Sequence, residues 1–217
     1  MAIIEKQEYD ITTVIQSDND LNEKQKNILL ACIDVMAING YNSSRTSEIA
    51  KLAGVSEGTL FRYYPTKKEL LLALLPQLIV SFFKPIIEDM FAKAKDSHKE
   101  SLKNEIKRHY LHRLDLIDKN EKILKIIVLE SIYHQELQKS IQKLMDETIF
   151  PSLDLLIQKQ QESNNLRKVE TRTISRTLVS QLFGYYFLSK YFPYIYPRDD
   201  EHEIDKLIDI ILHGIKK

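Results

Sequence analysis

Residues 46–64 carry side chains whose types and spacing suggest one particular chemistry, the recognition of double-stranded DNA. The apolar pair Ile49-Ala50 is followed by Gly54, and Ser56 then opens a second short segment with hydroxyl and arginine side chains. A helix-turn-helix has this order, because a tight glycine turn joins two short helices and the second one enters the major groove. The pattern therefore predicts helices at about 46–53 and 56–63.

The predicted second helix has an outward face suited to bases and phosphates. Ser56 is a favourable N-cap, Thr59 can contact a base edge or a thymine methyl group, and Arg62 can reach a guanine or a phosphate. Gly58 lowers helix stability by about 1 kcal/mol relative to alanine, a cost that close approach to DNA would explain. Phe61 is expected to lean toward the core with its apolar neighbours. The predicted DNA contacts are Arg45, Thr46, Ser56, Glu57, Gly58, Thr59, Arg62, Tyr63, Tyr64 and Lys67.

Helical spacing of apolar residues dominates the rest of the chain, and strand-type alternation is nowhere sustained. Residues 1–20 are polar and aperiodic, which predicts a flexible arm. Asp20 followed by Glu23 has capping-box spacing and predicts the start of a first helix that Gly40 ends. The further predicted helices are 67–83, opened by the capping box Thr66–Glu69 and broken or kinked at Pro85, then 99–118, 120–134, 136–163 with a bend at Pro151, 170–191 and 201–216. The predicted fold is all-α, with about nine helices.

The run from Gly54 to Lys67, GVSEGTLFRYYPTK, resembles the pattern of the tetracycline-repressor (TetR/AcrR) family of transcriptional regulators. Phe61 and Tyr64 depart from the usual tyrosine and phenylalanine, and Phe61 lacks a hydroxyl that could bond a phosphate. The resemblance covers about residues 22–70. It implies an arm over 1–20, a three-helix DNA-binding domain over 21–70, and an effector-binding and dimerisation domain over 71–217. A generic three-helix bundle with a tight turn is the alternative interpretation.

The last two predicted helices have the apolar faces of a dimer interface. One helix-turn-helix reads about half of an operator, so a two-fold dimer is expected with recognition helices about 34–36 Å apart. Family resemblance implies that the helices at about 170–191 and 201–216 form a four-helix bundle with their mates. The alternative is that they only cover the core of one subunit. The apolar positions of the last helix are Ile204, Leu207, Ile208, Ile211, Leu212 and Ile215.

A small-molecule site is expected among the middle helices, since family members usually hold an effector there. Ligand pockets are mostly apolar with a few polar anchors, and Glu130 with His134 could supply those anchors. Aromatic and methionine side chains at helical spacing can equally be ordinary core. The predicted pocket residues are Phe83, Met90, Phe91, Tyr110, Leu114, Ile127, Glu130, Tyr133, His134, Phe150, Phe183 and Tyr186.

The amino-acid composition limits which other functions the chain could have. The chain of 217 residues has 31 basic and 31 acidic side chains, so its formal net charge is zero, which is unusual for a DNA-binding protein. No signal peptide is visible, no apolar run approaches the ~20 residues of a membrane span, and the single Cys32 suits a reducing cytoplasm. His109 and His112 are expected to lie on a solvated helix face rather than to form a metal site. No cofactor or metal is expected.

The predicted function is a cytoplasmic bacterial repressor, released from a palindromic operator by a small apolar or amphipathic effector. A dimeric interaction module of the same fold, without specific DNA binding, is the alternative. An enzyme is not expected, because no nucleophile, glycine-rich phosphate loop or zinc spacing accompanies Glu130 and His134.

Overall fold

The computed structural model describes residues 9–86, 88 and 101–214. Every element in these ranges is helical and none is a β-strand, so the predicted all-α fold class is confirmed. Two π-helical turns, Ile79–Phe83 and Met145–Ile149, interrupt the α-helices. The α-helices are α1 Ile11–Ser17, α2 Glu23–Ser43, α3 Thr46–Leu52, α4 Glu57–Tyr63, α5 Lys67–Leu72, α6 Leu74–Leu78, α7 Leu102–Lys119, α8 Glu121–Tyr133, α9 Gln135–Leu144, α10 Phe150–Glu162, α11 Thr171–Tyr191 and α12 Asp200–His213.

Helix α1 corrects the prediction of a flexible arm over residues 1–20. The Asp10 carboxylate caps it by accepting hydrogen bonds from the backbone N–H groups of Thr12 and Thr13. Ile11 and Ile15 are buried, so one side of this short helix belongs to the core. Seven residues are too few to show helical periodicity, which is why the sequence pattern missed it. Residues 1–8 of the predicted arm lie outside the described residues.

Helix α2 begins two residues later than the predicted capping box of Asp20 and Glu23. Asn22 is the N-cap, and its side chain and that of Gln25 each bond the other's backbone N–H. Near its end, Gly40 has φ 73° and ψ 166°, which interrupts the helical backbone before its last three residues. A positive φ is accessible to glycine without the steric cost of a side chain, so Gly40 ends the regular helix as predicted.

The predicted helix 67–83 is divided into α5, α6 and a π-helical turn. The Thr66–Glu69 capping box that opens it is confirmed. Pro76 has no N–H to donate to the carbonyl of Leu72, where α5 ends. Pro85 does not end the helix, since residues 84–86 remain helical; the π-helical turn precedes it instead. The Ser81 carbonyl, which a proline at position 85 cannot bond, accepts from the Asn120 side chain at 3.4 Å.

The segment Lys67–Ile86 departs from the expectation that no part of the chain approaches the length of a membrane span. Its length and mean hydropathy of 1.6 are sufficient for a span, by composition alone. Half of that window is buried inside the protein, however, as in the core helix of a soluble protein.

The chain forms two compact units, residues 1–86 with 116–143, and residues 87–115 with 144–217. In the first unit, α2 is central and packs against α3 and α8. Asp34 of α2 accepts from Lys122 Nζ at 2.6 Å, and the Ala37 carbonyl accepts from Lys125 Nζ at 3.3 Å, which aligns α8 along α2. The predicted DNA-binding domain 21–70 lies wholly inside this unit.

The second unit contains α10, α11, α12 and most of α7. The Tyr110 hydroxyl of α7 donates to the Leu178 carbonyl of α11 at 2.7 Å. Lys107, also on α7, pairs with Glu201 at 3.0 Å and Asp205 at 2.7 Å on α12. The predicted helix 136–163 is divided at Met145–Ile149, directly before Pro151. Ile215 of the predicted apolar face lies outside the described residues.

Candidate nucleic-acid interface

Helices α3 and α4 form the predicted helix-turn-helix. Gly54 at the turn has φ 69°, a conformation that a side chain would strain, and the Val55 N–H donates to the Ala50 carbonyl at 3.0 Å. The Ser56 side chain then caps α4 by accepting from the Thr59 N–H at 3.1 Å. Leu60 is fully buried and anchors α4 on the rest of the unit. The local features predicted for the turn and the cap are therefore present.

The outward face of α4 exposes Glu57, Gly58, Phe61 and Arg62. A Cβ atom added to Gly58 would meet only Ser56 Oγ, at 4.0 Å, and its φ is not positive. Neither packing nor backbone conformation within the chain therefore requires glycine at this position. A surface that must lie close to something outside the chain is the remaining physical reason for it.

Phe61 is a residue of the exposed α4 face that sequence reasoning missed. It was predicted to lean toward the core, but 39% of it is exposed. It follows Glu57 by four residues and Gly58 by three, so the three positions share one side of the helix. That spacing was the available signal, and the apolar character of phenylalanine outweighed it.

Two of the predicted contacts, Thr46 and Thr59, use their hydroxyls inside the domain. Thr46 donates to the Glu57 carboxylate, which joins the start of α3 to the start of α4. The Thr59 hydroxyl lies 2.9 Å from Ser56 Oγ. These bonds fix the Glu57 side chain and the N-terminal turn of α4 relative to the exposed face.

Tyr63 and Tyr64 have different environments. Tyr63 is half-buried, and the Arg62 guanidinium lies 5.3 Å from its ring centroid, so the pair remains at the surface. Tyr64 is buried, with a hydrogen bond to Gln25, and burial raises the pKa of its hydroxyl to about 12. This placement favours packing over the predicted DNA contact for Tyr64.

Lys67 and Arg45 lie on either side of the helix-turn-helix in sequence. Arg45 is exposed at the N-cap position of α3 and its side chain makes no capping bond. Lys67 Nζ lies 4.6 Å from the Tyr41 ring centroid and 3.3 Å from the Asn42 carbonyl. Partial burial lowers the pKa of Lys67. Arg45 is therefore open to an anion, whereas Lys67 is directed onto the end of α2.

The predicted pocket residues are divided between the two units. In the first unit, Ile127 and Glu130 are buried, whereas Tyr133 is 75% exposed. Phe83 and His134, in the same unit, are half-buried. In the second unit, Tyr110, Leu114 and Tyr186 are buried, Phe150 is half-buried and Phe183 is exposed on α11. Met90 and Phe91 lie outside the described residues. The pocket stays a prediction.

Glu130 and His134 form a polar pair at the end of α8. Glu130 Oε2 lies 3.4 Å from His134 Nε2. A shallow cleft of about 310 Å³ lies instead in the second unit, lined by Asn104, Lys107, Arg108 and Leu111. In the described ranges, no group of three or more His, Cys, Asp and Glu side chains has a metal-binding arrangement.

Comparison with known proteins gives a family for the N-terminal region. Residues 28–74 match the sequence model of the bacterial regulatory proteins of the tetR family. The fatty acid metabolism regulator protein of Bacillus subtilis is 37% identical over 87 residues, which is 40% of this chain and 44% of that protein. The HTH-type transcriptional regulator RutR of Escherichia coli is 32% identical over 103 residues, 46% of this chain and 49% of RutR. The chain thus spans about half the length of the curated relatives it matches.

The fold of most of the chain is similar to that of several solved structures. FadR of Bacillus subtilis, solved with stearoyl-CoA, has a TM-score of 0.66 at 19% identity, covering 88% of this chain and 98% of that chain. The fatty acid degradation regulator FadR of Bacillus halodurans has a TM-score of 0.65 at 20% identity, covering 90% of this chain and 98% of that chain. The helix-turn-helix region of this chain, residues 28–74, is therefore similar to that of the tetR family of bacterial regulatory proteins.

Proposed function

We propose that the chain is a cytoplasmic transcriptional regulator that binds operator DNA as a homodimer and is released by a small amphipathic effector. The observation that carries the proposal is the exposed face of α4, where Gly58 has no internal reason to be glycine. A major groove is about 12 Å wide and admits an α-helix whose outward side chains reach the base edges. Gly58 would allow the α4 backbone to approach those edges closely.

The neighbouring side chains would have different roles within the groove. Arg62 has the donors to bond a guanine or a phosphate, and Arg45 at the start of α3 is placed for the phosphate backbone. Glu57, held by Thr46, can accept from a cytosine amino group. Phe61 can contact a thymine methyl group but cannot bond a phosphate, since it has no hydroxyl.

The proposed homodimer is supported by the geometry of operators and by an exposed apolar stripe on α11. One recognition helix reads a half-site, so two-fold pairing doubles the contacts over a palindrome. Val179, Phe183, Phe187 and Tyr191 recur every four residues along α11 and are each between 38% and 53% exposed. An exposed apolar stripe of this length is typical of an interface.

For the effector, we propose an acyl-CoA thioester. This class is supported by the fatty acid metabolism regulator among the relatives and by the stearoyl-CoA bound to the similar FadR structure. It also fits the earlier expectation of an amphipathic effector. Effector binding releases DNA only if it binds the DNA-free conformation more tightly than the DNA-bound one.

The test of DNA binding is selection from a random duplex library, followed by titration of the enriched sequence. We expect a palindrome, and we expect Arg62→Ala to weaken binding by about 1–3 kcal/mol if Arg62 reads a base. Arg167→Ala, which removes an exposed charge from the second unit, is the matched control and should bind normally. If Arg62 contacts a phosphate, the loss should be equal on all sequences and the salt dependence should decrease.

Failure to enrich any sequence would favour the alternative, a dimeric interaction module of the same fold. The effector is tested separately, by adding stearoyl-CoA, free CoA or stearate to the preformed DNA complex. Release by stearoyl-CoA alone supports the proposed class. DNA binding that persists with all three rejects that class while leaving the DNA-binding proposal intact.

A further inference from the structure

The connection between α11 and α12 exposes a run of large apolar side chains. Phe192 is 47% exposed, Tyr194 103%, Ile195 69% and Tyr196 49%. Residues 191–197, YFPYIYP, contain no charged side chain. We call Phe192–Tyr196 the aromatic turn. Aromatic residues bury about 150–250 Å² each in interfaces, so the aromatic turn presents roughly 500 Å² of apolar side chain.

The aromatic turn is held in shape by hydrogen bonds at both of its ends. The N–H groups of Ile195 and Tyr196 donate to the Phe192 carbonyl at 3.0 Å and 2.9 Å. Beyond it, Arg198 donates to both carboxylate oxygens of Asp200 at 2.8 Å, and the Tyr185 hydroxyl donates to the same carboxylate at 2.7 Å. These bonds hold the backbone in a turn whose apolar side chains remain in solvent rather than against their own unit.

The aromatic turn is continuous with the apolar stripe of α11. The ring centroids of Phe187 and Tyr191 lie 5.0 Å apart, and those of Phe187 and Phe192 lie 6.1 Å apart. Phe187 and Tyr191 belong to the stripe, and Phe192 is the first residue of the turn. One apolar surface therefore runs along α11 and over the turn that follows it.

We infer that the aromatic turn is an arm that packs on the second copy of this chain and extends the dimer interface beyond the two helices. The inference rests on the dimer that forms part of the proposed function. Soluble monomers rarely expose contiguous apolar patches larger than a few hundred Å², so the combined surface of stripe and turn requires a partner. An uncharged surface is best matched by another apolar one, and the same continuous surface on a second copy supplies it.

Aromatic side chains that enter a partner's surface are typical of the residues that contribute most to binding. Two arms related by two-fold symmetry add about 1,000 Å² from both copies, a substantial addition to a standard interface of about 1,600 Å². The arm therefore determines how tightly the two copies associate, while the α11 and α12 helices determine their register.

The first experiment measures the dimer dissociation constant by sedimentation equilibrium. The double variant Tyr194→Ser with Ile195→Ser should raise the constant by roughly tenfold or more. Ile38→Ser is the control, because Ile38 is also a large apolar residue, 83% exposed, but lies on α2 in the other unit. Far-UV circular dichroism checks that both proteins fold, as expected for changes at exposed positions.

The second experiment measures thiol protection, for which the single natural cysteine is convenient. Cys32 is fully buried and contributes little background labelling. Ile195→Cys should react with a maleimide more slowly at concentrations where the dimer forms than at concentrations where it dissociates. Ile38→Cys should react at the same rate in both conditions.

The outcomes separate this inference from the proposed function. If the wild-type chain dimerises and binds its operator, but the double variant dimerises equally well and Ile195→Cys is not protected, the arm is rejected and the regulator remains. If only added phosphatidylcholine vesicles protect Ile195→Cys from the maleimide, the arm is also rejected, because the turn then contacts a lipid surface instead of a second copy. A wild-type chain that stays monomeric rejects both the arm and the proposed dimer.

Discussion

The imidazole ring of His134 stands edge-on to the phenol ring of Tyr41, with 4.7 Å between the ring centroids and 75° between the ring planes. Lys67 Nζ lies 4.6 Å from the centroid of the same Tyr41 ring. Tyr41 belongs to the end of α2, Lys67 to the start of α5, and His134 follows α8. One aromatic ring therefore joins three segments of the first unit that are far apart in sequence.

Replacing Tyr41 tests how much this ring stabilises the unit. Tyr41→Leu removes an aromatic pair and a cation–π contact, each worth about 0.5–1.5 kcal/mol. We expect the free energy of unfolding in urea to fall by about 1–2 kcal/mol. Tyr41→Phe keeps both ring contacts and should unfold like the wild type. Equal losses in the two variants would show that the hydroxyl, rather than the ring, is what matters.

Gly58 and Gly54 should respond to alanine in opposite ways. Gly58→Ala places a methyl group in open space within a helix, so stability should be unchanged or higher by up to about 1 kcal/mol. Operator affinity should fall at least tenfold, by about 1.4 kcal/mol or more, because the methyl group would occupy the face proposed to meet DNA. Gly54→Ala should instead destabilise the fold by about 1–2 kcal/mol, because φ at this position is positive.

Parallel thermal unfolding and DNA titrations of these two variants separate function from folding. A Gly58→Ala protein that is more stable yet binds the operator normally would contradict the proposal that α4 lies in the major groove. A Gly54→Ala protein of unchanged stability would contradict the strained turn.

The features that sequence predicted correctly at the interface are local ones. The Ser56 cap, the Gly54 turn and the Thr66–Glu69 capping box each involve residues within three positions, so the residue types alone indicate the bonds. Which side chains of α4 face outward was harder to predict. Each residue turns an α-helix by about 100°, so a small error in phase places Phe61 on the wrong side.

The contacts that sequence could not predict are those between distant segments. Tyr41 and His134 are separated by more than ninety positions, and nothing in either local pattern indicates that they touch. The same holds for Asn120, whose side chain reaches backbone carbonyls of three segments. Helix α1 was missed because it is short, and Asn22 rather than Asp20 caps α2 because two overlapping capping patterns lie within a few residues.

The thiol of Cys32 should be unreactive in the native protein. Burial raises its pKa to about 12, so almost no thiolate is present near neutral pH. We expect negligible reaction with dithionitrobenzoate until urea unfolds the chain, after which one thiol per chain should react. Rapid reaction of the native protein would contradict the buried position of this thiol.

The Asp200 carboxylate should give a pH-dependent contribution to stability. The Arg198 hydrogen bonds, and further the Tyr185 hydroxyl, lower its pKa below the usual 3.8, although burial opposes them. Because the folded pKa is the lower one, the stabilisation is present above about pH 4 and is lost as the pH falls through the folded pKa. Asp200→Asn should lower the free energy of unfolding by about 1 kcal/mol at pH 7.

Urea titrations of this variant at several pH values give the measurement. The difference from the wild type should shrink steadily below about pH 4. Asp146→Asn, at an exposed position outside this network, is the control and should show no such trend. A deficit that is constant with pH would assign the effect to packing instead of the charge.

Loss of the Asn120 side chain should destabilise the first unit. It is fully buried, and its Nδ2 atom lies 3.0 Å from the Tyr9 and Leu116 carbonyls and 3.4 Å from that of Ser81. Pro85 has no N–H, so it cannot supply the bond that the Ser81 carbonyl would receive from position 85 in an α-helix. Asn120→Ala would remove this donor; the Leu116 carbonyl keeps the bond from the Asn120 backbone N–H, but a buried carbonyl left unsatisfied costs about 1–3 kcal/mol. We therefore expect the free energy of unfolding in urea to fall by about 1–3 kcal/mol. Asn104→Ala, at an exposed position on α7, is the control and should lower the free energy of unfolding by less than about 0.5 kcal/mol. Equal effects of the two variants would show that the Asn120 amide does not hold these segments together.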